Sequence, residues 1–197
     1  MSGWTKHTGK IAVLDADNID TDRIIPARFL SMITRSGYGD LLFNDVRSAD
    51  FALDRPEAKG ASILVVGVNF GCGSSREHAV WSLQQAGFEA VIAKKTETAP
   101  GFSDIFRQNA SNCGMLLIEL NEPDHASLSA NGQGASITID LESQKVVHGS
   151  NCATFEIGES AKQAMIKGHD LIGLTLEFSN AISSYEQNSM AYVPSKK

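Results

Sequence analysis

Short apolar runs alternate with helical patterns through the middle of the chain. Three runs are almost continuously apolar, which is typical of strands buried on both faces. They are residues 61–68, 89–93 and 115–120. Between them, residues 77–86 and 102–112 have helical patterns, and Gly87 and Gly114 follow closely as helix ends. Strands that alternate with helices predict a parallel sheet.

Beyond residue 121 the pattern changes from continuous to alternating. Three short segments alternate apolar and polar positions and predict an antiparallel unit with one face in water. They are residues 136–141, 146–148 and 153–157, with a turn at 142–145. Residues 159–167 predict a short amphipathic helix ended by Gly168, and the polar tail at 182–197 is expected to lie over a surface.

The amino-terminal part is less regular. Residues 5–15 predict a first strand with a turn at Gly9, and residues 24–29 predict a short helix with Pro26 near its start. The glycine-flanked stretch 36–39 predicts a flexible loop. Taken together, the periodicities predict the α/β class and nothing finer.

Composition narrows the protein class. The chain has 197 residues, of which 42% are hydrophobic, and this fits one core and a single domain over residues 1–197. The formal net charge is −6, and no cluster of Lys and Arg interleaves with aromatic residues, so we expect no nucleic-acid partner. The first residues have no apolar signal region, and no window reaches the ~18 apolar residues of a membrane span.

The three cysteines, Cys72, Cys113 and Cys152, are far apart in the sequence and form no Cys-x-x-Cys pair. Their spacing therefore predicts neither a metal site nor a disulfide framework. Reduced thiols fit a cytoplasmic protein.

The stretch from 68 to 79, Val-Asn-Phe-Gly-Cys-Gly-Ser-Ser-Arg-Glu-His-Ala, lies between a predicted strand and a predicted helix. Backbone N–H groups and the positive end of a helix dipole converge at such a junction and favour anions. An equally good interpretation is a capping box in which Ser74 and Glu77 cap the helix, with Gly71 and Gly73 serving a tight turn. The spacing fits neither a phosphate loop nor a dinucleotide fingerprint.

Three runs of the sequence resemble one family. Residues 69–79 resemble the signature of the swivel domain in the aconitase superfamily, and residues 18–26, Asn-Ile-Asp-Thr-Asp-Arg-Ile-Ile-Pro, resemble its amino-terminal signature. Residues 168–176, Gly-His-Asp-Leu-Ile-Gly-Leu-Thr-Leu, resemble the end of bacterial 3-isopropylmalate dehydratase small subunits. The resemblance is collinear and covers essentially the whole chain. It implies a three-layer β/β/α swivel domain with a parallel sheet, an antiparallel unit and flanking helices.

The resemblance also implies an activity. Such an enzyme interconverts 2-isopropylmalate and 3-isopropylmalate by removing and re-adding water, in leucine biosynthesis. The implied Lewis acid is a [4Fe-4S] cluster, and since this chain lacks cluster-ligand spacing, the resemblance places the cluster on a large-subunit partner. Ser74 matches the catalytic base, and Ser75 and Arg76 match substrate-binding positions. Gly71 and Gly73 would let the dicarboxylate substrate approach the backbone.

A second group of candidates precedes this motif. Arg47 is a candidate carboxylate clamp, although Val46 stands where the family often has tryptophan. The loop at 35–43 corresponds to the region that meets the variable group of the substrate. Its apolar members would suit an isopropyl group, and core packing or a partner interface is an equal alternative. They are Tyr38, Leu41, Leu42 and Phe43.

Several alternatives stay open at this point. Cys72 with nearby His78 is a less favoured nucleophile hypothesis, since thiolates are favoured at helix N-termini; His78 itself either orients neighbours or is structural. Arg23, Arg28 and Arg35 are further clamp candidates. A related hydro-lyase small subunit, of the citraconate, maleate, methylcitrate or homoaconitate type, is an alternative activity. A non-catalytic anion-binding module is the alternative of a different class.

Overall fold

A mixed sheet organises the structure, a computed structural model that describes residues 3–32, 34–74, 76–169 and 171–188. The strands are β1 (Lys6–Leu14), β2 (Ile63–Val66), β3 (Ala90–Lys95), β4 (Leu116–Asn121), β5 (Ser136–Asp140), β6 (Lys145–His148) and β7 (Asn151–Thr154). Their spatial order is β4-β3-β2-β1-β5-β6-β7. Strands β1 to β4 pair in parallel, and β1, β5, β6 and β7 pair in antiparallel fashion. Both predicted halves of the sheet are therefore confirmed.

The long strand β1 joins the two halves. Its first part, residues 6–10, pairs with β5, and its second part, residues 11–14, pairs with β2. Gly9 lies inside the strand opposite Ile137, so the predicted turn at this position is wrong. A Cβ atom at Gly9 would lie 2.0 Å from the Ser62 hydroxyl. The residue is glycine because a side chain approaches the strand there, and not because the chain turns.

The helices are α1 (Thr21–Ile24), α2 (Glu77–Gln85), α3 (Asp104–Cys113), α4 (Glu122–Ser129), α5 (Glu159–Lys167), α6 (Leu171–Leu176) and α7 (Ser179–Asn188). Short 3-10 turns lie at Ala27–Ser31, Gly39–Leu41, Ala52–Asp54 and Pro56–Ala58. The predicted helices at 77–86, 102–112 and 159–167 are confirmed within two residues at each end. Ser103 caps α3 by accepting a hydrogen bond from Phe106 N at 3.3 Å, and Gly114 ends it at φ 69°.

The parallel strands separate two apolar cores. One face of β2 and β3 packs against α2 and α3, and the other face packs against the antiparallel strands. The first core includes Leu64, Val66, Val91, Val80, Leu83, Phe106 and Ala110. The second includes Ile63, Val65, Ile92, Ile139, Val146 and Phe155. This alternation follows the two-residue period of a strand and confirms the β/β/α layering.

Helix α4 was not predicted. Asn121 caps it by accepting a hydrogen bond from Asp124 N at 2.9 Å, and Pro123 lies in its first turn. Its buried residues are His125 and Leu128, too few to make an apolar stripe in the sequence. The cap and the proline were the available signals.

Two amino-terminal predictions need correction. The predicted helix at 24–29 is divided: α1 ends at Ile24, and a 3-10 turn follows Pro26. The loop at 36–39 was predicted to be flexible, but Tyr38 is fully buried. The side chain of Gln85 holds the loop from α2, accepting from Tyr38 N at 2.9 Å and donating to Arg35 O at 2.7 Å. These hydrogen bonds replace the regular pairing that the sequence pattern lacks.

The carboxy-terminal region also differs from its prediction. Residues 179–188 form α7, whose side chains are all exposed, so this part of the tail does not lie over a surface of the protein. The last residues of the predicted tail, 189–197, lie outside the described residues. Within the part that the structure describes, no helix is long and apolar enough to cross a membrane.

Candidate active site

Two loops that are far apart in sequence meet at one edge of the sheet. One follows β1 and the other follows β2, and the carboxyl ends of parallel neighbours lie at the same edge. Gly71 N donates to Ile19 O at 2.8 Å, and Thr21 N donates to Cys72 O at 3.0 Å. The Thr21 hydroxyl donates to Ser74 O at 2.6 Å. The two signature runs of the sequence thus form one structural unit.

The glycines at 71 and 73 have different reasons to be glycine. Both have a positive φ, 73° and 88°, which other residues rarely adopt. At Gly71 a Cβ atom would also lie 2.3 Å from the ring of Phe106. At Gly73 the nearest atom would be the Cβ of Asp20 at 3.5 Å, and Gly73 is exposed. Gly73 therefore leaves its backbone open to an approaching molecule, whereas Gly71 is packed.

Ser74 is exposed and lies two residues before the N-cap of α2, which is Arg76. The predicted capping box is wrong, because the Glu77 carboxylate accepts from the Cys113 thiol at 3.4 Å and does not reach back. The carbonyl of Ser74 is held by Thr21, and the chain is extended at Arg76 (φ −133°, ψ 124°), so the N-cap of the helix is Arg76 and not Ser74.

This geometry leaves the start of α2 without a side-chain cap. The first-turn N–H groups of a helix carry partial positive charge and lack intrahelical partners. Ser74 is exposed and lies three residues before the first residue of α2. Ser75, the other predicted hydroxyl, lies outside the described residues.

Arg76 faces the same region from the start of α2. Its side chain is 20% exposed, and Nη1 donates to the carboxylate of Asp22, which lies on α1. The carboxylate partner expected for a cation at a helix N-terminus is therefore present within the chain itself. Asp22 is 55% exposed, so the ion pair lies at the surface of the protein.

Arg47 is engaged elsewhere in the described structure. Its Nε donates to Leu42 O at 3.1 Å, Nη1 pairs with Asp54, and its guanidinium lies 5.7 Å from the ring of Phe51. Two of the further candidates are also occupied. Arg28 pairs with Asp45, and Arg35 lies 5.0 Å from the Trp81 ring. None of these described contacts is with the loop after β1 or with the loop after β2 that contains Ser74.

The apolar residues of the 35–43 loop are mostly core. Tyr38, Leu42 and Phe43 are at most 1% exposed, and Leu41 is half-buried against the same core. Core packing, one of the two roles considered for these residues, is therefore what the structure shows for Tyr38, Leu42 and Phe43. Phe43 also lines an open apolar cavity of about 140 Å³. The other lining residues are Leu14, Ala16, Ile19, Arg23, Val46 and Phe51.

Two other candidates receive a structural interpretation. His78 packs between the rings of Tyr38 and Trp81, with centroids 5.3 and 4.6 Å away. Burial raises the pKa of the Cys72 thiol, and the charge of Asp20 adds to this rise. A raised pKa disfavours the thiolate, which weakens the nucleophile hypothesis for Cys72.

The cysteines do not fit an iron–sulfur cluster. Cys113 is half-buried, and burial together with its contact to Glu77 raises its pKa to about 12. Cys152 is exposed on β7, in the antiparallel unit, away from the junction after β2. Among the described residues, no group of three or more His, Cys, Asp or Glu side chains could hold a metal ion.

Comparison with known proteins gives one consistent result. Residues 1–123 match the family model described as the aconitase C-terminal domain. The 3-isopropylmalate dehydratase small subunit of Shewanella amazonensis is 46% identical, over 98% of this chain and 99% of that protein. The protein of the same name from Shewanella putrefaciens is 45% identical, over 94% and 96% of the two chains.

A solved structure agrees with these relatives. The crystal structure of 3-isopropylmalate dehydratase from Methanocaldococcus jannaschii is similar to this chain with a TM-score of 0.66 and 27% sequence identity. The similarity covers 92% of this chain and 99% of that one.

Proposed function

We propose that this chain, which belongs to the aconitase family of hydro-lyases, is the small subunit of a 3-isopropylmalate dehydratase. With a large subunit it interconverts 2-isopropylmalate and 3-isopropylmalate in leucine biosynthesis. Water is eliminated to give 2-isopropylmaleate and is then added back to the neighbouring carbon. The whole chain, residues 1–197, acts as one swivel domain in this proposal.

Ser74 is the catalytic base in the proposed mechanism. Its oxygen, as alkoxide, takes a proton from the substrate carbon, the C–H electron pair forms the double bond, and the C–O bond breaks with its electron pair leaving on the hydroxide. The proton taken by Ser74 and the hydroxide together make up the water that is eliminated. A serine alkoxide needs strong stabilisation. The exposed position of Ser74, shortly before the uncapped start of α2 and next to the open backbone at Gly73, supports this assignment, because the N–H donors and the dipole of a helix start stabilise negative charge.

Arg76 binds a substrate carboxylate in this proposal. A guanidinium can hold a carboxylate with two parallel hydrogen bonds, and Asp22 already uses Arg76 as a carboxylate site. Substrate binding therefore includes the displacement of Asp22. Ser75 is proposed as a further substrate contact from its place in the motif.

The proposed complex divides the chemistry between two chains. A [4Fe-4S] cluster on the large subunit supplies the Lewis acid, and this chain supplies the base and the carboxylate clamp. The poor fit of Cys72, Cys113 and Cys152 to a cluster supports this division. All three cysteines are free, which supports a reducing compartment such as the cytoplasm.

The name of the full-length relatives, 3-isopropylmalate dehydratase small subunit, supports isopropylmaleate over the more polar acids. An isopropyl group is stabilised by leaving water for an apolar wall, whereas a third carboxylate needs a cation. Hydration of isopropylmaleate, citraconate and homoaconitate by the co-expressed complex tests this choice. A higher kcat/KM for either of the other acids would assign the chain to a related hydro-lyase. Binding of the acids without turnover of any would favour the anion-binding module.

The proposed function depends most on the exposed Ser74. The variant Ser74→Ala tests its role as the base. We expect turnover to be abolished in the co-expressed complex while assembly and stability are unchanged, because this serine is not the helix cap. Ser160→Ala, at an exposed serine of α5, is the matched control and should keep normal activity. Near-normal turnover in the Ser74 variant would remove it as the base.

A further inference from the structure

Exposed large apolar side chains concentrate in one short segment of the chain. Leu176, Phe178, Ile182 and Tyr185 are 62%, 63%, 40% and 76% exposed. Elsewhere in the described residues such side chains occur singly, at Val46, Ile105 and Val147. Single exposed apolar residues are ordinary, but a cluster of them marks an interaction site. We call residues 171–188, which form α6 and α7, the carboxy-terminal arm.

The apolar residues of the arm lie in a stripe. Ile182 and Tyr185 lie on α7, and Phe178 directly precedes it and accepts a hydrogen bond from Ile182 N at 2.9 Å. Their spacing i, i+4, i+7 brings the three side chains to one side of the helix. Ser183 and Gln187 lie on the opposite side by the same spacing. A helix with this pattern normally packs its apolar side against a core, yet none of the residues of α7 is buried.

The arm is attached at its base. Glu177 receives a hydrogen bond from Lys167 Nζ at 2.8 Å, and its carboxylate lies 3.3 Å from His169 Nδ1. Lys167 is the last residue of α5, which packs against the second core through Met165 and Ile166. These contacts fix the start of the arm on the body, while the stripe on α7 faces solvent.

We propose that the carboxy-terminal arm is a docking element, and that the large subunit of the proposed enzyme binds its stripe as a helix in a groove. This inference rests on the two-subunit assembly of the proposed function. The arm lies beyond residue 123, where the match to the aconitase C-terminal domain ends. It lies within the length shared with the Shewanella amazonensis small subunit, which matches 98% of this chain. The name small subunit implies a large-subunit partner, and the stripe is the one cluster of exposed large apolar side chains among the described residues, which makes it the surface that such a partner would cover.

Binding between purified subunits tests the arm. The variant Phe178→Gln with Tyr185→Gln removes the two aromatic side chains and keeps residues that favour helix. We expect the Kd for the large subunit to rise by about tenfold or more, since buried aromatic residues dominate such interfaces. The matched control, Ser183→Ala with Gln187→Ala, changes the opposite side of α7 and should leave the Kd unchanged. Circular dichroism and thermal melting should show the same fold in all variants.

The outcomes separate the docking proposal from the proposed function. Ser74→Ala should bind the large subunit like the wild type and lack turnover, so assembly is measured independently of chemistry. Failure of the wild-type chain to bind its large subunit would overturn the two-subunit function and the docking proposal together. A Kd within about twofold of wild type in the aromatic double variant would overturn the docking proposal alone. Self-association of the wild-type chain that the double variant abolishes, with an unchanged Kd for the large subunit, would assign the stripe to a second copy.

Discussion

At the scale of single residues, Ser74 and Arg76 differ in how much of their role the fold already specifies. Arg76 has a carboxylate partner in the free chain, Asp22, which lies on a different loop. Ser74 is held through its carbonyl, by Thr21, and is exposed. The arginine is thus positioned before substrate binds, while the serine depends on the backbone around it.

Replacing Arg76 distinguishes geometry from charge. Arg76→Lys keeps the charge but loses the planar fork, so we expect kcat/KM to fall nearly as far as in Arg76→Ala. Arg28→Lys, which changes an exposed arginine paired with Asp45, is the matched control and should stay near wild type. Steady-state hydration of isopropylmaleate by the complex measures all three. Full activity in Arg76→Lys would show that this residue acts only through its positive charge.

The thiols provide a pH-dependent test of their environments. The pKa values of Cys72 and Cys113 lie above the usual range, so at pH 8 both hold less thiolate than an ordinary cysteine. Iodoacetamide should therefore label exposed Cys152 first, Cys72 later and Cys113 last, and labelling of Cys72 should accelerate as the pH rises. Peptide mass spectrometry over time gives the three rates. Fast labelling of Cys72 near pH 7 would contradict the raised pKa.

At the scale of elements, the junction between β2 and α2 combines a tight backbone with an open one. Gly71 is enclosed by Phe106 of α3, and Gly73 is exposed. The junction therefore joins the site to the first core on one side and leaves it accessible on the other. A change on the enclosed side should affect stability before it affects chemistry.

Gly71→Ala tests this expectation. The variant places alanine in the left-handed backbone conformation and brings its Cβ too close to the ring of Phe106. We therefore expect a loss of about 2–4 kcal/mol in the free energy of unfolding. Gly87→Ala is the matched control, because Gly87 also has a positive φ (99°) but has nothing within 4 Å of the added Cβ. It should lose only about 1 kcal/mol. Equal losses in urea denaturation would show that Phe106 moves aside without cost.

At the scale of the whole molecule, the proposed enzyme is divided between chains. This chain presents a base and a clamp at one edge of its sheet and an apolar arm at its carboxy terminus. Its three cysteines lie on different elements, the loop after β2, the end of α3 and β7, and no group of three or more metal-ligating side chains occurs among the described residues. The chain alone should thus be unable to hold an iron–sulfur cluster.

Anaerobic reconstitution of the purified chain with iron and sulfide measures this directly. We expect no stoichiometric iron and no visible absorption near 400 nm, because thiolate ligands are not assembled in one place. The co-purified complex is the positive control and should become brown. A stoichiometric brown chromophore on this chain alone would contradict the division of the site.

The sequence by itself determined the elements whose signals are local. The helices at α2, α3 and α5 were predicted because apolar spacing and a following glycine act within a few residues. The parallel and antiparallel strands were predicted from their different apolar periods. The pairing of the motifs at 18–26 and 69–79 as one site came from family resemblance, and the hydrogen bonds between them show its physical basis.

Only the tertiary structure decided the features that depend on distant neighbours. The capping box at Ser74 fails because Thr21, more than fifty residues earlier, holds its carbonyl, and Cys113 binds the Glu77 carboxylate. Gly9 stays in a strand because Ser62 approaches it, and Tyr38 is buried because Gln85 holds its loop. In each case a contact from another element outweighs the local preference, and a single sequence carries no record of which distant side chain arrives.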